Sequence, residues 1–473
     1  MATSLLFMVL IAVAGTSLLS ISLIHQLDMA RGGVDVRLLI AAEAALESKR
    51  GQFILVAGVQ EDWTELLPTT GWNDIGPKFT VNGIVVQVQG MPLSQTRFPI
   101  ARLRGLAYGQ DRTKAVEYTI RASSFADYAL YFGAGSGVNI EEYTKIYGPY
   151  YSKGDINLNN GPGIEFFGHV ETSGKVQGIV DAVYNFKQGY LDYVPVIDLP
   201  PVGPSMTLMR NAALASGTFF YANTISIELA GTQFVRRYRY RTGPGSNDYV
   251  LAPPQTLDIP DNSVIYISNA TCPAGVDSFD PGILNSFSSP AVSTWGLLDT
   301  RRVTIACEHD IYVTNDVMYG TLLLNPDLRR YSNKESAAAL NFREMLGVVS
   351  QANVFFEKTV DWTPLPPTSM VTDNAGLDPP DTGHLPKQYA LDGVFMGFNK
   401  SERGSIGSSF NMELWVVGGI ITGTQNSTFL KENFDRRNYA TDNRIQLDPP
   451  PFFPRAYGGI PKPVPGSWRT YDV

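Results

Sequence analysis

The first twenty-seven residues, Met1 to Leu27, contain no Asp, Glu, Lys or Arg, and Leu5 to Ile24 is dominated by Leu, Ile, Val, Met, Phe and Ala. As a helix rising about 1.5 Å per residue, this run spans roughly 40 Å, enough to cross a hydrocarbon layer of about 30 Å. No Lys or Arg precedes it, whereas a cleaved secretory signal carries a basic stretch ahead of its apolar run. The expectation is therefore a chain that is already mature at Met1 or never had a leader. The polarity then changes. Asp28, Arg31, Asp35 and Arg37 are followed by Leu38-Leu39-Ile40-Ala41-Ala42-Glu43-Ala44-Ala45-Leu46-Glu47, made of strong helix formers. Lys49-Arg50-Gly51 reads as a stop, with cations in the last turn and Gly beyond it. One helix of about fifty residues, roughly 75 Å long, is predicted. Its weak points are Gly15, the hydroxyls Thr16, Ser17, Ser20 and Ser22, and the pair Gly32-Gly33, with Gly15, Ser20 and Ser22 the candidates for local melting. A plain membrane anchor accounts for the apolar run alone, but it has no need of the polar helical half that follows.

Beyond the helix, the composition points to strands and turns. The 473 residues include 44 Gly, 31 Pro and 23 Tyr, while charged residues make up only 17%. That length admits two or three domains. The formal net charge of -8 argues against nucleic acid as a partner, which calls for a basic surface. The densest basic cluster, Arg236-Arg237-Tyr238-Arg239-Tyr240-Arg241, alternates charge and ring at period two and reads as a strand with one solvated face. Cys272 and Cys307 form a candidate disulfide, closing a loop of about thirty-five residues worth roughly 3–4 kcal/mol; the alternative is two buried thiols.

Residues 51–135 read as a small α+β unit with candidate strands at Phe53–Val59, Phe79–Val88 and Val116–Ala122, the second carrying an Asn82-Gly83 hairpin signal. An internal repeat follows. Ile146-Tyr147-Gly148-Pro149-Tyr150-Tyr151-Ser152-Lys153-Gly154-Asp155-Ile156 aligns with Phe166-Phe167-Gly168-His169-Val170-Glu171-Thr172-Ser173-Gly174-Lys175-Val176 at an offset of twenty. Such a period, with short β runs and turn glycines, is the signature of one rung of a solenoid, which buries its inward side chains only by stacking on its neighbours. Further rung-like runs stand at Asn262–Ser268, Val303–Cys307, Asp310–Thr314, Met345–Ser350, Asn353–Phe356, Leu391–Met396 and Glu413–Ile421. Their irregular spacing calls for insertions near 185–260 and 358–390, where prolines cluster. A tail over 448–473 is rich in Pro and aromatic residues and is expected to run extended and cap an open edge.

Ser4-Leu5-Leu6-Phe7-Met8-Val9-Leu10 followed by Ala41-Ala42-Glu43-Ala44-Ala45-Leu46-Glu47 resembles the N-terminal helix of PilX-type pilins of type IV pilus systems. Two departures stand out: Leu5 occupies the place where many pilins have Glu, and a basic leader is missing. The later pattern is similar to a β-helical passenger of a pilin-associated family. It includes Ser124-Phe125-Ala126-Asp127-Tyr128-Ala129, Tyr147-Gly148-Pro149, Ser173-Gly174, Asp310-Ile311-Tyr312-Val313, Leu346-Gly347-Val348-Val349 and Gly418-Gly419-Ile420-Ile421. Asn438-Tyr439, Arg444, Pro449-Pro450-Pro451-Phe452-Phe453-Pro454 and Ser467-Trp468-Arg469 continue the match.

The resemblance implies an α+β chain: a long N-terminal helix (1–50), a small pilin-like β-meander (51–135), a parallel β-helix-like head with insertions (136–447) and the tail (448–473). It further implies a structural subunit of an extracellular filament, held in the inner membrane before assembly and polymerising with itself or other pilins through assembly machinery. Leu5, Leu6, Phe7, Val9, Leu10, Val13, Leu18, Leu19, Ile21 and Ile24 would then form the filament-core helix. The alternatives are a membrane-anchored β-helical surface protein that binds or cleaves carbohydrate and a large secretion-system pseudopilin.

Chemistry is sparse. The four histidines are His25, His169, His309 and His384, with no Cys/His spacing suited to zinc and no nucleophile or phosphate-loop motif. No catalytic residue, cofactor or metal is expected. Asp373–Asp381 is oxygen-rich but lacks the spacing of an EF-hand and reads as a solvated loop. Tyr147, Tyr150 and Tyr151 are candidates for stacking on a glycan, with packing as the default.

Overall fold

The computed structural model describes residues 33–49, 63, 67–94, 100–121, 124–159, 161–221, 224–241, 249–251, 253–268, 291–320, 343–356, 387–403, 412–423, 434, 436–446, 449–454, 462–463 and 467–473. The chain divides into two units, one of residues 1–122 and 460–473 and the other of residues 123–459.

In the first unit, helix α1 (33–49) packs on an antiparallel sheet of β1 (Asn73–Asp74), β2 (Phe79–Val81), β3 (Ile84–Ser94), β4 (Ile100–Tyr108) and β5 (Thr113–Arg121). The hairpin of β2 and β3 turns on Asn82 and Gly83, both at positive φ (49° and 79°), which is why that dipeptide is so strong a turn signal.

The second unit is built on stacked parallel strands. Three turns of chain wind in sequence order: β6 (Leu130–Phe132), β7 (Val138–Asn139) and β8 (Thr144–Tyr147); β9 (Tyr150–Ser152), β10 (Ile156–Asn157) and β11 (Glu165–Phe166); β12 (Val170–Thr172) and β13 (Val176–Gln177). The third turn is completed by α2 (Ala182–Asn185) and the bridge at Phe186, and β14 (Tyr190–Leu191), stacked on β12, begins a fourth. The first two turns give one short strand to each of three faces, and the partners are those of the repeat: Ile146 with Phe166, Tyr150 with Val170 and Ile156 with Val176. In the third turn α2, capped by Asp181, and the single bridge of Phe186 to Phe166 take the place of a third strand.

Helix α3 (Val202–Ser216) follows, ending on Gly217 at φ 72°. Then come β15 (Phe219–Tyr221), β16 (Thr224–Gly231), β17 (Gln233–Arg241), β18 (Tyr249–Leu251), β19 (Gln255–Asp258), β20 (Ser263–Ser268), β21 (Ala291–Leu298) and β22 (Arg302–Cys307). Next are β23 (Asp310–Tyr319), β24 (Met345–Ser350), β25 (Asn353–Phe356), β26 (Lys387–Gly397), β27 (Lys400–Arg403), β28 (Met412–Thr422) and β29 (Arg436–Ala440). Strands β30 (Lys462–Pro463) and β31 (Arg469–Asp472) return to the first unit, where both pair with β5.

The spatial order of the stack is not the chain order. One parallel ladder runs β15, β20, β22, β24, β26, β28, β6, β9, β12, β14. The late strand β28 thus lies on the early strand β6, with Ile420 opposite Leu130, and β29 likewise lies on β8. Ten strands about 4.8 Å apart put β14 and β15 roughly 43 Å from one another. Residues 192–218 bridge that distance with fifteen helical residues, about 22 Å, and twelve extended ones, up to about 40 Å.

Inside the stack, Ile146, Phe166, Ile265, Ile305, Val348, Phe395 and Ile420 belong to one continuous buried core. A second core lies on the outer face of the long ladder, where Met206, Met209 and Ala213 of α3 cover Tyr266, Val349 and Met396. This is why every residue of β20 is buried.

The predicted class is corrected. The fold is mostly β, with 51% strand and 15% helix, built from several sheets rather than as an α+β chain led by a long helix. At the N-terminal side the described helix covers 33–49, about 25 Å, against the roughly 75 Å expected; residues 1–32 lie outside the described residues. Among the described residues no helix is long and apolar enough to cross a membrane. The expected local meander instead draws its edge strands from the C-terminal tail. The expected parallel head winds in sequence order as two separate blocks, 130–191 and 219–422, which are joined out of chain order where β28 lies on β6. Propensity fixes that 33–49 is helical, but the β-branched and aromatic runs that fill most of the chain set the class.

Successive turns approach closely at glycines. A Cβ on Gly168 would meet the backbone of Gly148, whereas one on Gly135 would meet no atom within 4 Å. Gly168→Ala is expected to cost on the order of 1–3 kcal/mol and to lower the thermal midpoint by a few degrees, and Gly135→Ala to leave it in place. Circular dichroism melts of the two variants check this.

Candidate functional site

Helix α1 has two faces. Leu38, Ala41, Ala42, Ala45 and Leu46, at spacings of three and one, are all at most 2% exposed and pack on Leu103, Val88, Val116 and Tyr118 of the sheet. Alanines keep the helix thin on that side, and Gly105 lets the sheet come close, since a Cβ there would run into the Ala42 carbonyl. On the opposite side Val36, Ile40, Glu43 and Glu47 follow one another at spacings of four, three and four. Val36 is 55% exposed and Ile40 54%. A helix with one seated stripe ordinarily turns polar residues to water on its other side, so two large β-branched side chains left open there are the candidate contact surface of this unit.

The start of α1 is tied to the end of the chain. Asp35 accepts from Arg112 at 2.9 Å and lies 3.4 Å from Lys114, and Lys114 reaches Asp472 of β31 at 2.5 Å. Burial raises the Asp35 pKa, but Arg112 and Lys114 outweigh it and hold the carboxyl below its usual value. The hydrogen bond to Asp472, followed by the Asp35 contact, raises Lys114 against an opposing burial effect. Around this latch, Tyr471 donates to Glu117 at 2.8 Å, Arg102 pairs with Glu117 at 3.1 Å, and the Trp468 ring stacks on Tyr118 at 5.2 Å.

The other sequence-derived candidates divide into two groups. The filament-core positions Leu5, Leu6, Phe7, Val9, Leu10, Val13, Leu18, Leu19, Ile21 and Ile24, the melting positions Gly15, Ser20 and Ser22, and Cys272, His25, His384 and the 373–381 loop lie outside the described residues. Cys307 is a free thiol, buried on β22, and its pKa is pushed up by burial. Tyr150 and Tyr151 are fully buried. Tyr151 stacks on Tyr131 at 5.0 Å, and the two hydroxyls bond the backbone of Ile197, which closes over them. Tyr147 is half-buried with Phe167 stacked on it at 4.4 Å. His169 lies 3.6 Å from Glu171 on the surface, and burial lowers the pKa of His309. Among the described residues no group of three or more His, Cys, Asp or Glu is placed to hold a metal ion. The outward stripe of α1 is the feature that reading by helix propensity misses; the spacing of Val36, Ile40, Glu43 and Glu47 is the signal that shows it.

No family model and no curated protein sequence matches this chain. Among solved structures, the competence-associated pilin ComZ from Thermus thermophilus is similar over 91% of this chain and 97% of its own, at 9% identity and a TM-score of 0.30. At that score the likeness assigns neither fold nor role.

Because the folded-state pKa of Asp35 is depressed, its contribution to stability is fully present above the unfolded value of about 3.9 and is lost as pH falls through the lower folded value. Acid melting curves of the wild-type chain are expected to steepen below about pH 4. In Asp35→Asn that part of the slope is expected to disappear, while the curves above pH 5 stay parallel.

Proposed function

We propose that this chain is a structural subunit of an extracellular filament of the type IV pilus kind, without enzymatic activity. The observation that carries the reading is the pair of opposed stripes on α1. One stripe is spent on the subunit's own sheet, and the other leaves Val36 and Ile40 open. The uncharged run of residues 1–27 precedes this helix in sequence. In the proposed cycle that run rests in the inner membrane, then leaves lipid to pack against the same run of neighbouring subunits, of its own kind or of other pilins. Machinery outside the chain drives the transfer. Lipid and filament core are both apolar, so exchanging one for the other is close to neutral, and side chains that pass from water into the contact must decide the balance. Covering a Val or Ile yields about 1.5–3 kcal/mol each, so the open stripe supplies a few kcal/mol per subunit before ordering costs. Small terms of that kind, repeated at every subunit, are enough to hold a polymer whose membrane reservoir is almost isoenergetic. The mature filament stands on the cell surface.

Ile40→Lys and Val36→Lys place a cation on the stripe without touching the sheet-facing side. Both variants are expected to accumulate as folded monomers, with the thermal midpoint of the wild type and no filaments by negative-stain electron microscopy of sheared cell surfaces. Wild-type numbers of filaments built from either variant would remove the stripe from assembly.

A further inference from the structure

The outward half of α1 carries charge as well as apolar surface, and the charges are ordered. At about 100° per residue, Val36, Ile40 and Glu47 fall within about 40° of one another and mark the middle of that half. Arg37 lies about 60° to one side of Ile40, and Glu43 about 60° to the other. Both are exposed, and among the described residues neither makes an ion pair or a side-chain hydrogen bond. Asp35 on the same helix, by contrast, is held by Arg112 and Lys114.

The uncharged run of residues 1–27 precedes α1 in every copy, so copies drawn from one membrane into one bundle stand parallel. When parallel helices turn the same stripe to a common axis, each shows one flank to the helix before it and the opposite flank to the helix after it. The Arg37 flank of one copy then meets the Glu43 flank of the next at every step. Contacts between two different patches do not close on themselves in pairs and can continue as an open polymer.

The height at which the copies meet follows from the spacing. Six residues separate Arg37 from Glu43, about 9 Å along the helix. A copy displaced by about 9 Å toward its own N-terminus brings its Glu43 level with Arg37 of its neighbour, whereas the opposite displacement doubles the gap. The same displacement keeps the Glu47 carboxylates of adjacent copies from standing at one height. Covering Val36 and Ile40 strips water from the charges beside them, and a charge that loses water without gaining a partner opposes the contact. The uncharged run of a neighbour is the other surface that could cover the stripe, but its side chains offer no counter-charge to either group.

On the footing of the filament reading, we propose that α1 of one copy lies beside α1 of the next, parallel and displaced along the axis, with Arg37 of one paired to Glu43 of the other. The apolar side chains supply attraction, and the charge pair fixes the side and the height at which copies join.

The test compares cells making the wild-type chain with cells making Arg37→Glu, Glu43→Arg or both together. Each single variant is expected to accumulate as a folded monomer with the wild-type thermal midpoint. Filament number, counted by negative-stain electron microscopy of sheared surfaces, is expected to fall about tenfold in each, because like charges then meet between copies. The double variant restores opposite charges across the contact and is expected to return filaments toward the wild-type number. Should either single variant fail to fold, Arg37→Asp and Glu43→Lys repeat the exchange. Wild-type numbers of filaments in both single variants overturn the pairing and leave the filament reading standing. A double variant no better than the singles overturns the pairing as well. Absence of filaments from cells making the wild-type chain overturns the filament reading itself, and the pairing with it.

Discussion

A parallel strand of two or three residues has too few hydrogen bonds to hold by itself, and the early turns of the second unit are made largely of such strands. Each is fixed by the neighbour above and the neighbour below, so the stability of any one turn depends on an unbroken succession of partners. The joint that makes the succession unbroken is the seating of β28 on β6. There the Ile420 amide donates to the Ala129 carbonyl and the Gly133 amide to the Thr422 carbonyl. Across this joint the early turns, which wind in sequence order, become continuous with strands from the last quarter of the second unit, and the two stretches share one interior. Without it the core would be cut in two, each part with a bare edge.

Much else follows from that joint. The chain leaves the early turns at β14 and has to start again at the far end, so the 192–218 connection must be long and must lie along the outside of the ladder. Its helix α3 and the segment around Ile197 bury the outward aromatic side chains of β6, β9 and β20. In the first unit a similar long-range closure operates on a smaller scale. Strands from the C-terminus complete the edge of β5, and Lys114 holds the last strand and the start of α1 through one ammonium group.

The sequence shows the local rules and hides the distant ones. The twenty-residue offset between Ile146 and Phe166 is legible because inward apolar residues and turn glycines recur at fixed places, and Asn82-Gly83 marks its hairpin because few other dipeptides accept two positive φ angles. Nothing in Ile420-Ile421-Thr422 names Leu130-Tyr131-Phe132 as its partner, since any β-branched or aromatic run satisfies a parallel neighbour equally well. For the same reason Tyr150 and Tyr151 look like surface rings until the strap over them is seen. Helix 33–49 is legible from its Ala, Leu and Glu content, but propensity carries no information about which side is left open, and the stripe of Val36 and Ile40 emerges only once the sheet occupies the other side. The weight given to that single helix is also what leads to an α+β assignment for a chain that is mostly strand.

Whether the ladder is continuous across β28 and β6 is read most directly by hydrogen exchange of the backbone amides, followed by mass spectrometry on the purified chain. If the two strands form one structure, the amides of residues 130–133 and of 420–422 are protected to the same degree and lose protection together as denaturant is raised. Rapid exchange at 130–133 while 420–422 stays protected would contradict the account, because it would show the early turns standing apart from the rest of the stack.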